Sequence, residues 1–245
     1  MSEYFTRSEV LLGAKMMEAL RSKRVIIFGV GGVGSWAAEA LVRTGLTHLT
    51  IVDGDTVQPS NINRQLPATR ETVGMPKVEA LKQRLLTINP EADIEARQEW
   101  YCCESGPVYA DEQKTAFRLP LEGYDYIIDA IDSVADKADL IYSATRVRGL
   151  KIFSSMGAAL RYDPTQVTIG ELMTIKGDAL ARAVRERMKK MQCKPYKKVR
   201  CVYSTEQAQR CEARGSLMQV TAVFGCTLAS LVIDDMRKAA QKNAD

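Results

Sequence analysis

Short apolar runs alternate with longer amphipathic stretches over the first 155 residues. "RVIIFG" (24–29), "HLTIVD" (48–53), "ADIEARQ" (92–98), "YDYIIDAID" (124–132) and "KIFSS" (151–155) have the length and side-chain character of strands. Between them, residues 33–44, 76–87 and 133–148 read as helices. Residues 5–20 repeat Leu11, Leu12, Met16 and Leu20 at helical spacing and predict one amphipathic helix ahead of the first strand. Ala37, Ala38 and Ala40 suit close packing on a sheet. Pro76 suits a first helical turn, and "NP" (89–90) ends that helix. Residues 54–73 read as a polar loop, and 103–120 as irregular with room for one helix. Such alternation predicts an α/β protein with a doubly wound, Rossmann-like, mostly parallel sheet.

Past residue 156 the pattern changes. "QVTIGEL" (166–172) and "CVYSTE" (201–206) read as strands separated by a basic stretch, and 216–240 as one long helix. The apolar run 217–233 is interrupted by Gln219, two threonines and Ser230, so it reads as a buried core helix rather than a membrane span. The simplest organisation is a single domain over 1–245: an N-terminal helical element (1–23), a core (24–172), a basic insertion (173–215) and a C-terminal helix (216–245).

Apolar residues make up 46 % of the 245 and charged residues 26 %, ordinary for a soluble globular chain. A net charge of +4 permits an anionic partner without requiring one. Six cysteines (102, 103, 193, 201, 211 and 226) form no disulfide framework in a chain this long, and none are paired as CxxC, so no zinc site is expected. The first twenty residues lack the basic, apolar and small-residue order of a signal peptide. A cytoplasmic setting without membrane contact is expected.

The chemistry begins at "FGVGGVGS". Gly29-x-Gly31-x-x-Gly34 follows a strand and opens a helix, the setting in which glycines let a phosphate approach backbone N–H groups. Asp53, at the end of the second strand, is placed to bind ribose hydroxyls. The motif leaves open whether the nucleotide is ATP or NAD. "SNINRQ" then puts Asn61, Arg64 and Gln65 beyond the strand's C-terminal end, where open α/β sheets bind ligands. A guanidinium there suits a triphosphate better than a nicotinamide cofactor. Lys77 opposes the helix dipole, which makes sense if it reaches a phosphate; an exposed lysine is the plainer alternative. "DAIDS" offers Asp132 as a magnesium ligand and Asp129 as a structural acid, though Asp129, Asp132 and Ser133 could each cap a helix instead. His48, the only histidine, lacks catalytic partners and reads as structural. Cys193 could be a nucleophile or relay thiol, but an inert thiol is the plainer reading.

In this order and spacing, "GVGGVGS", "DGDTVQPSNINRQ", "VGMPK" and "DAIDS" resemble the adenylating superfamily of ubiquitin-activating E1 enzymes and their bacterial relatives, the ThiF-like proteins. The resemblance implies an E1-like fold, activation of a carboxylate with ATP and Mg2+, and a homodimer. It implies nucleotide contacts from Gly29, Gly31, Gly32, Gly34, Asp53, Asp55 and Gln65. It implies phosphate contacts from Asn61, Arg64 and Lys77, a magnesium ligand in Asp132, and Arg7 of "YFTRSE" reaching the partner subunit's active site. "YDPTQVTIGEL", "DALARAVRERMKK", "CVYSTE" and "VTAVFG" are similar to a tRNA-modifying branch of that superfamily, the threonylcarbamoyladenosine dehydratases. This implies a tRNA carrying N6-threonylcarbamoyladenosine as substrate, closed to its cyclic form without an enzyme nucleophile. "QAQRCEARGS" is shorter than the loop expected in that branch.

The basic insertion bears on that substrate. Arg182, Arg185, Lys189, Lys190, Lys197, Lys198 and Arg200 are the candidate tRNA contacts, with Tyr196 able to stack on a base; a solvated basic helix is the alternative. Two other functions remain on the sequence. One is adenylation of the C-terminal glycine of a small sulfur-carrier protein, with a cysteine desulfurase or its sulfur acceptor as a possible partner. The other is an NAD-binding oxidoreductase.

Overall fold

The computed structural model describes residues 3–102, 120–213 and 215–242. Seven strands form one sheet: β1 (Arg24–Phe28), β2 (His48–Val52), β3 (Asp93–Arg97), β4 (Tyr126–Asp129), β5 (Lys151–Ser155), β6 (Val167–Glu171) and β7 (Arg200–Ser204), in the order β3-β2-β1-β4-β5-β7-β6. All pairings are parallel except β6 with β7. Strand order reverses between β1 and β4, which opens the ligand crevice of a doubly wound sheet beyond their C-terminal ends.

Both faces of the sheet are covered, so its central strands are apolar on both sides. Val25 and Ile27 face one core with Leu49 and Ile51; Ile26 and Phe28 face the other with Ile127 and Cys201. The first core is closed by α2 (Ala14–Ser22), α3 (Gly34–Thr44), α4 (Lys77–Ile88) and α7 (Met218–Lys242), through Leu20, Leu41, Leu81, Phe224 and Leu228. The second is closed by α5 (Val134–Arg146) and α6 (Ala179–Lys190), through Ile141, Val184 and Met188.

The single helix expected over 5–20 is two: α1 (Thr6–Leu12) and α2 separate at Gly13, whose φ of 79° stops the first turn of hydrogen bonds from continuing. Leu and Met periodicity runs straight through that glycine, which is why the pattern alone merges them. The strand expected over 124–132 covers only Tyr126–Asp129, and the remainder is loop. Pro76 stands as the cap before α4 rather than in its first turn. The expected helix within 103–120 lies almost wholly outside the described residues. The apolar run 217–233 is a core helix, as expected: α7 is long and apolar enough to span a membrane, yet Val220, Phe224, Leu228 and Val232 are fully enclosed. The basic stretch is built into the layers. Asp178 caps α6 by accepting from the Ala181 N–H at 2.8 Å, and β7 lies between β5 and β6.

Candidate active site

The loops after β1, β2, β4 and β5 leave the C-terminal edge of the sheet. The glycine loop follows β1. At Gly29 the backbone has φ 83°, and a Cβ would lie 2.8 Å from the Ala130 carbonyl oxygen of the loop after β4. At Gly34 a Cβ would lie 1.9 Å from the Gly29 carbonyl oxygen, so no side chain fits there. Asp53 clamps the turn: its carboxylate accepts from the Val30 N–H at 2.8 Å and the Asp55 N–H at 2.9 Å. Burial pushes the Asp53 carboxyl above its usual range, against the pull of Lys77 and the two amides.

The segment after β2 folds back over this turn. Its 3-10 turn, Pro59–Asn61, is closed by Asn61, which is buried and accepts from the Gln58 N–H at 3.0 Å. Arg64 and Gln65 follow. The Arg64 Cγ lies 3.4 Å from where Gly32 would carry a Cβ, and the Gln65 Nε2 lies 3.5 Å from the same point on Gly31. Helix α3 ties the segment down: Trp36 Nε1 donates to the Arg64 carbonyl at 3.2 Å, and the Leu66 N–H donates to Ser35 Oγ at 3.3 Å. Arg64 Nη1 bonds Ser60 O and Asn63 Oδ1, both at 2.9 Å, while its Nε and Nη2 hold no hydrogen bond among the described residues. Gln65 is buried and its Oε1 has no partner among them.

Lys77 is not the exposed lysine of the plainer alternative. Its side chain is 7 % exposed and its Nζ lies 2.7 Å from Asp55 Oδ2, with the Asp55 side chain half exposed. Asp132 is exposed in the loop after β4 and holds no hydrogen bond or ion pair among the described residues. It is not the helix cap; Ser133 holds that position, without a side-chain bond. Asp129 is fully buried. Its Oδ2 accepts from Lys137 Nζ at 2.7 Å and Ser154 Oγ at 2.6 Å, and its Oδ1 from the Ile131 N–H at 3.1 Å. Arg7 is exposed on α1 and lacks a partner among the described residues. Val10 and Leu11 beside it are more than 80 % exposed.

The second half of the chain roofs the site. Thr221 of α7 lies 3.4 Å from a Cβ on Gly32, and Asn63 Nδ2 donates to the Ser216 carbonyl at 2.9 Å. The loop after β5 carries Arg161, buried against Asp178, and Leu160 with φ 61°.

The basic candidates split into two groups. Helix α6 begins at the glycine-loop edge, where Asp178 also accepts from the Gly157 N–H at 3.1 Å, and its twelve residues carry it about 18 Å toward the opposite edge. Arg182 lies exposed near its start. Arg185 is held by the Leu172 carbonyl at 2.9 Å. Lys189, Lys190 and Lys198 are exposed around the far end. There Lys197 donates to the Val147 carbonyl at 2.9 Å, and Arg200 lies 3.6 Å from Asp234. Tyr196, 78 % exposed, is anchored by its N–H to Thr145 Oγ1 at 3.1 Å, beside Arg146 and Arg148. Those two arginines were not singled out from sequence. Trp36, Lys137, Ser154 and Thr221 were also missed; of these, Lys137 leaves a trace, because it falls on the helix stripe shared by Ile141 and Ala144.

Cys193 is half-buried and burial pushes its thiol up, which disfavours a thiolate nucleophile. His48 Nδ1 lies 3.4 Å from Asp93 at the sheet's opposite edge.

A glycine turn clamped by an acid, overhung by a guanidinium and accompanied by a buried lysine and an exposed carboxylate thus stands at the crevice of a doubly wound α/β sheet. The chain belongs to the ThiF family, whose model matches residues 5–244. It is 38 % identical over 206 residues to the tRNA threonylcarbamoyladenosine dehydratase of Bacillus subtilis, covering 84 % of this chain and 76 % of that protein. Its fold matches that of Escherichia coli tRNA N6-threonylcarbamoyladenosine dehydratase, TcdA, solved in complex with ATP, with a TM-score of 0.85 and 34 % identity over 98 % of this chain and 96 % of that one. Similarity to the molybdopterin-synthase adenylyltransferase of Salmonella typhimurium, at 34 % identity, extends over only 62 % of this chain and 55 % of that protein.

Proposed function

We propose that this protein is an ATP-dependent tRNA threonylcarbamoyladenosine dehydratase. The observation that carries the reading is Arg64, its Nε and Nη2 unbonded among the described residues and its stem against the glycine turn, with an unpartnered Asp132 in the loop after β4 and a buried Lys77, in a chain similar to such dehydratases along nearly its whole length.

In the reaction, a carboxylate oxygen of the threonylcarbamoyl group forms a bond to the α-phosphorus of ATP. The bond from that phosphorus to the bridging oxygen breaks, and pyrophosphate leaves. A nucleophilic atom within the modification then attacks the acyl carbon, AMP departs, and a ring closes with net loss of water. The residues fit the nucleotide: Gly31 and Gly32 leave room for close approach, and Gln65 Oε1 is an acceptor awaiting a donor. Asp53 would take the ribose hydroxyls. Arg64 and Lys77 offset charge that builds on the phosphates, where such groups act most strongly. Asp132 would hold Mg2+, which neutralises the polyphosphate.

The reading extends to a homodimer in which Arg7 serves the partner's site. Its exposure and the bare Val10 and Leu11 beside it support this, since such apolar surface favours burial in an assembly. Exposed Arg182 fits contact near the modified base. Lys189, Lys190, Lys198, Arg146 and Arg148 fit contact with the tRNA backbone farther away.

The test incubates the protein with ATP, Mg2+ and threonylcarbamoylated tRNA and examines the digested nucleosides by mass. The expected result is loss of one water from the modified nucleoside with formation of AMP. An unchanged nucleoside would overturn the reading.

A further inference from the structure

Lys137 and Asp129 are both fully buried, with 0 % side-chain exposure on each. A sealed ion pair of this kind contributes little net stability, because desolvating both charges offsets their attraction; apolar residues of similar volume often do as well or better. What the pair does supply is orientation. Lys137 Nζ and Ser154 Oγ both engage Asp129 Oδ2, and Lys137 Nζ also lies 3.3 Å from Ser154 Oγ. That leaves Oδ1 turned to the Ile131 N–H, one residue before Asp132. The Lys137 N–H closes the first turn of α5 on the Ser133 carbonyl at 3.0 Å. One carboxylate therefore staples the loop 130–133 at both ends: to the last residue of β4 through Ile131, and to α5 through Lys137. The same loop packs against the glycine turn at Ala130.

We infer that Lys137 and Ser154 are positioning residues that act through Asp129 to aim Asp132 at the metal–polyphosphate. The inference rests on the reading of Asp132 as the magnesium ligand. Groups that orient a metal ligand from behind typically change metal affinity or activity by about 10–100-fold when removed.

The test uses full-length protein with the paired substitution Asp129→Leu/Lys137→Met, which removes both charges, and the milder Ser154→Ala. Three quantities are measured: amide exchange at Ile131, the magnesium concentration that half-saturates ATP binding, and the urea midpoint. The paired variant is expected to fold, to lose protection at Ile131, and to need about tenfold more magnesium. Its ATP affinity without magnesium should match wild type. Ser154→Ala should lower the urea midpoint, because a buried hydrogen bond to a charged group is lost, yet stay folded in buffer and need severalfold more magnesium; it decides the question if the paired variant does not fold. Wild-type magnesium dependence in a folded paired variant, or in Ser154→Ala in that event, would overturn the inference. Asp132→Ala separates the two ideas: if it also shows wild-type dependence, the reading of Asp132 falls and the inference with it; if it loses magnesium response while the others keep it, the inference alone falls.

Discussion

Two lysine–aspartate pairs stand at the same edge of the sheet with the same 2.7 Å separation, and they have opposite character. In Lys137–Asp129 neither side chain meets water. In Lys77–Asp55 the lysine is nearly buried but the acid is 49 % exposed. The first cannot exchange partners without opening the core. The second can, because Asp55 can turn to solvent and leave Lys77 to another anion. Separation alone does not tell a working cation from a fixed one; the exposure of its counter-charge does.

The largest effect should come from cutting the sealed pair on one side. Lys137→Met leaves Asp129 buried without a cation, and urea unfolding should show a loss of about 3–5 kcal/mol. If the loss is no greater than for an exposed lysine, the contrast between the pairs collapses. Lys77→Ala should behave the other way round. Adenylate formation should fall by about 10²–10³-fold, the usual cost of removing one group that stabilises developing charge, with a smaller drop in urea midpoint than Lys137→Met.

Lys198→Ala probes a cation at the far edge with no partner among the described residues. It should weaken binding of every tRNA alike and lower the slope of log affinity against log salt by about one. ATP affinity should not change.

The smallest effect concerns Glu39 on α3. Burial raises its carboxyl, but Arg84 and Arg43 outweigh that and hold it below the ordinary 4.5. A depressed acid stabilises the fold above its unfolded value, and that contribution is lost as pH falls below 4.5 toward the folded value. Both arginines are about half exposed, so Glu39→Gln should remove less than about 1 kcal/mol of this acid sensitivity. Urea midpoints compared at pH 7 and pH 4 would show it.

The sheet was legible in the sequence because parallel strands buried on both faces are uninterrupted apolar runs with turn residues between. The break at Gly13 was not, since the apolar stripe of α1 and α2 continues across it. Within the site, the glycines, Asp53 and Arg64 were legible because each sits at a fixed offset from a strand end. Trp36 and Thr221 were not, because what matters is where α3 and α7 cross, and no spacing encodes that. Lys137 stands in no motif. Only its place on the apolar stripe marked it, and a burial partner eight residues back was needed to explain it. The basic segment was recognised, but its division between two edges follows from the direction of α6, a tertiary fact.

The roof of the glycine turn has a consequence for biosynthesis. Thr221 and Ser216 stand far down the chain from the turn they cover. A domain generally folds as a unit, and α7 also closes the core that β1 and β2 share. The cover over Gly32 is therefore completed only when the last elements of the chain have been made. A chain truncated before Ser216 should lose ATP binding and cooperative unfolding together.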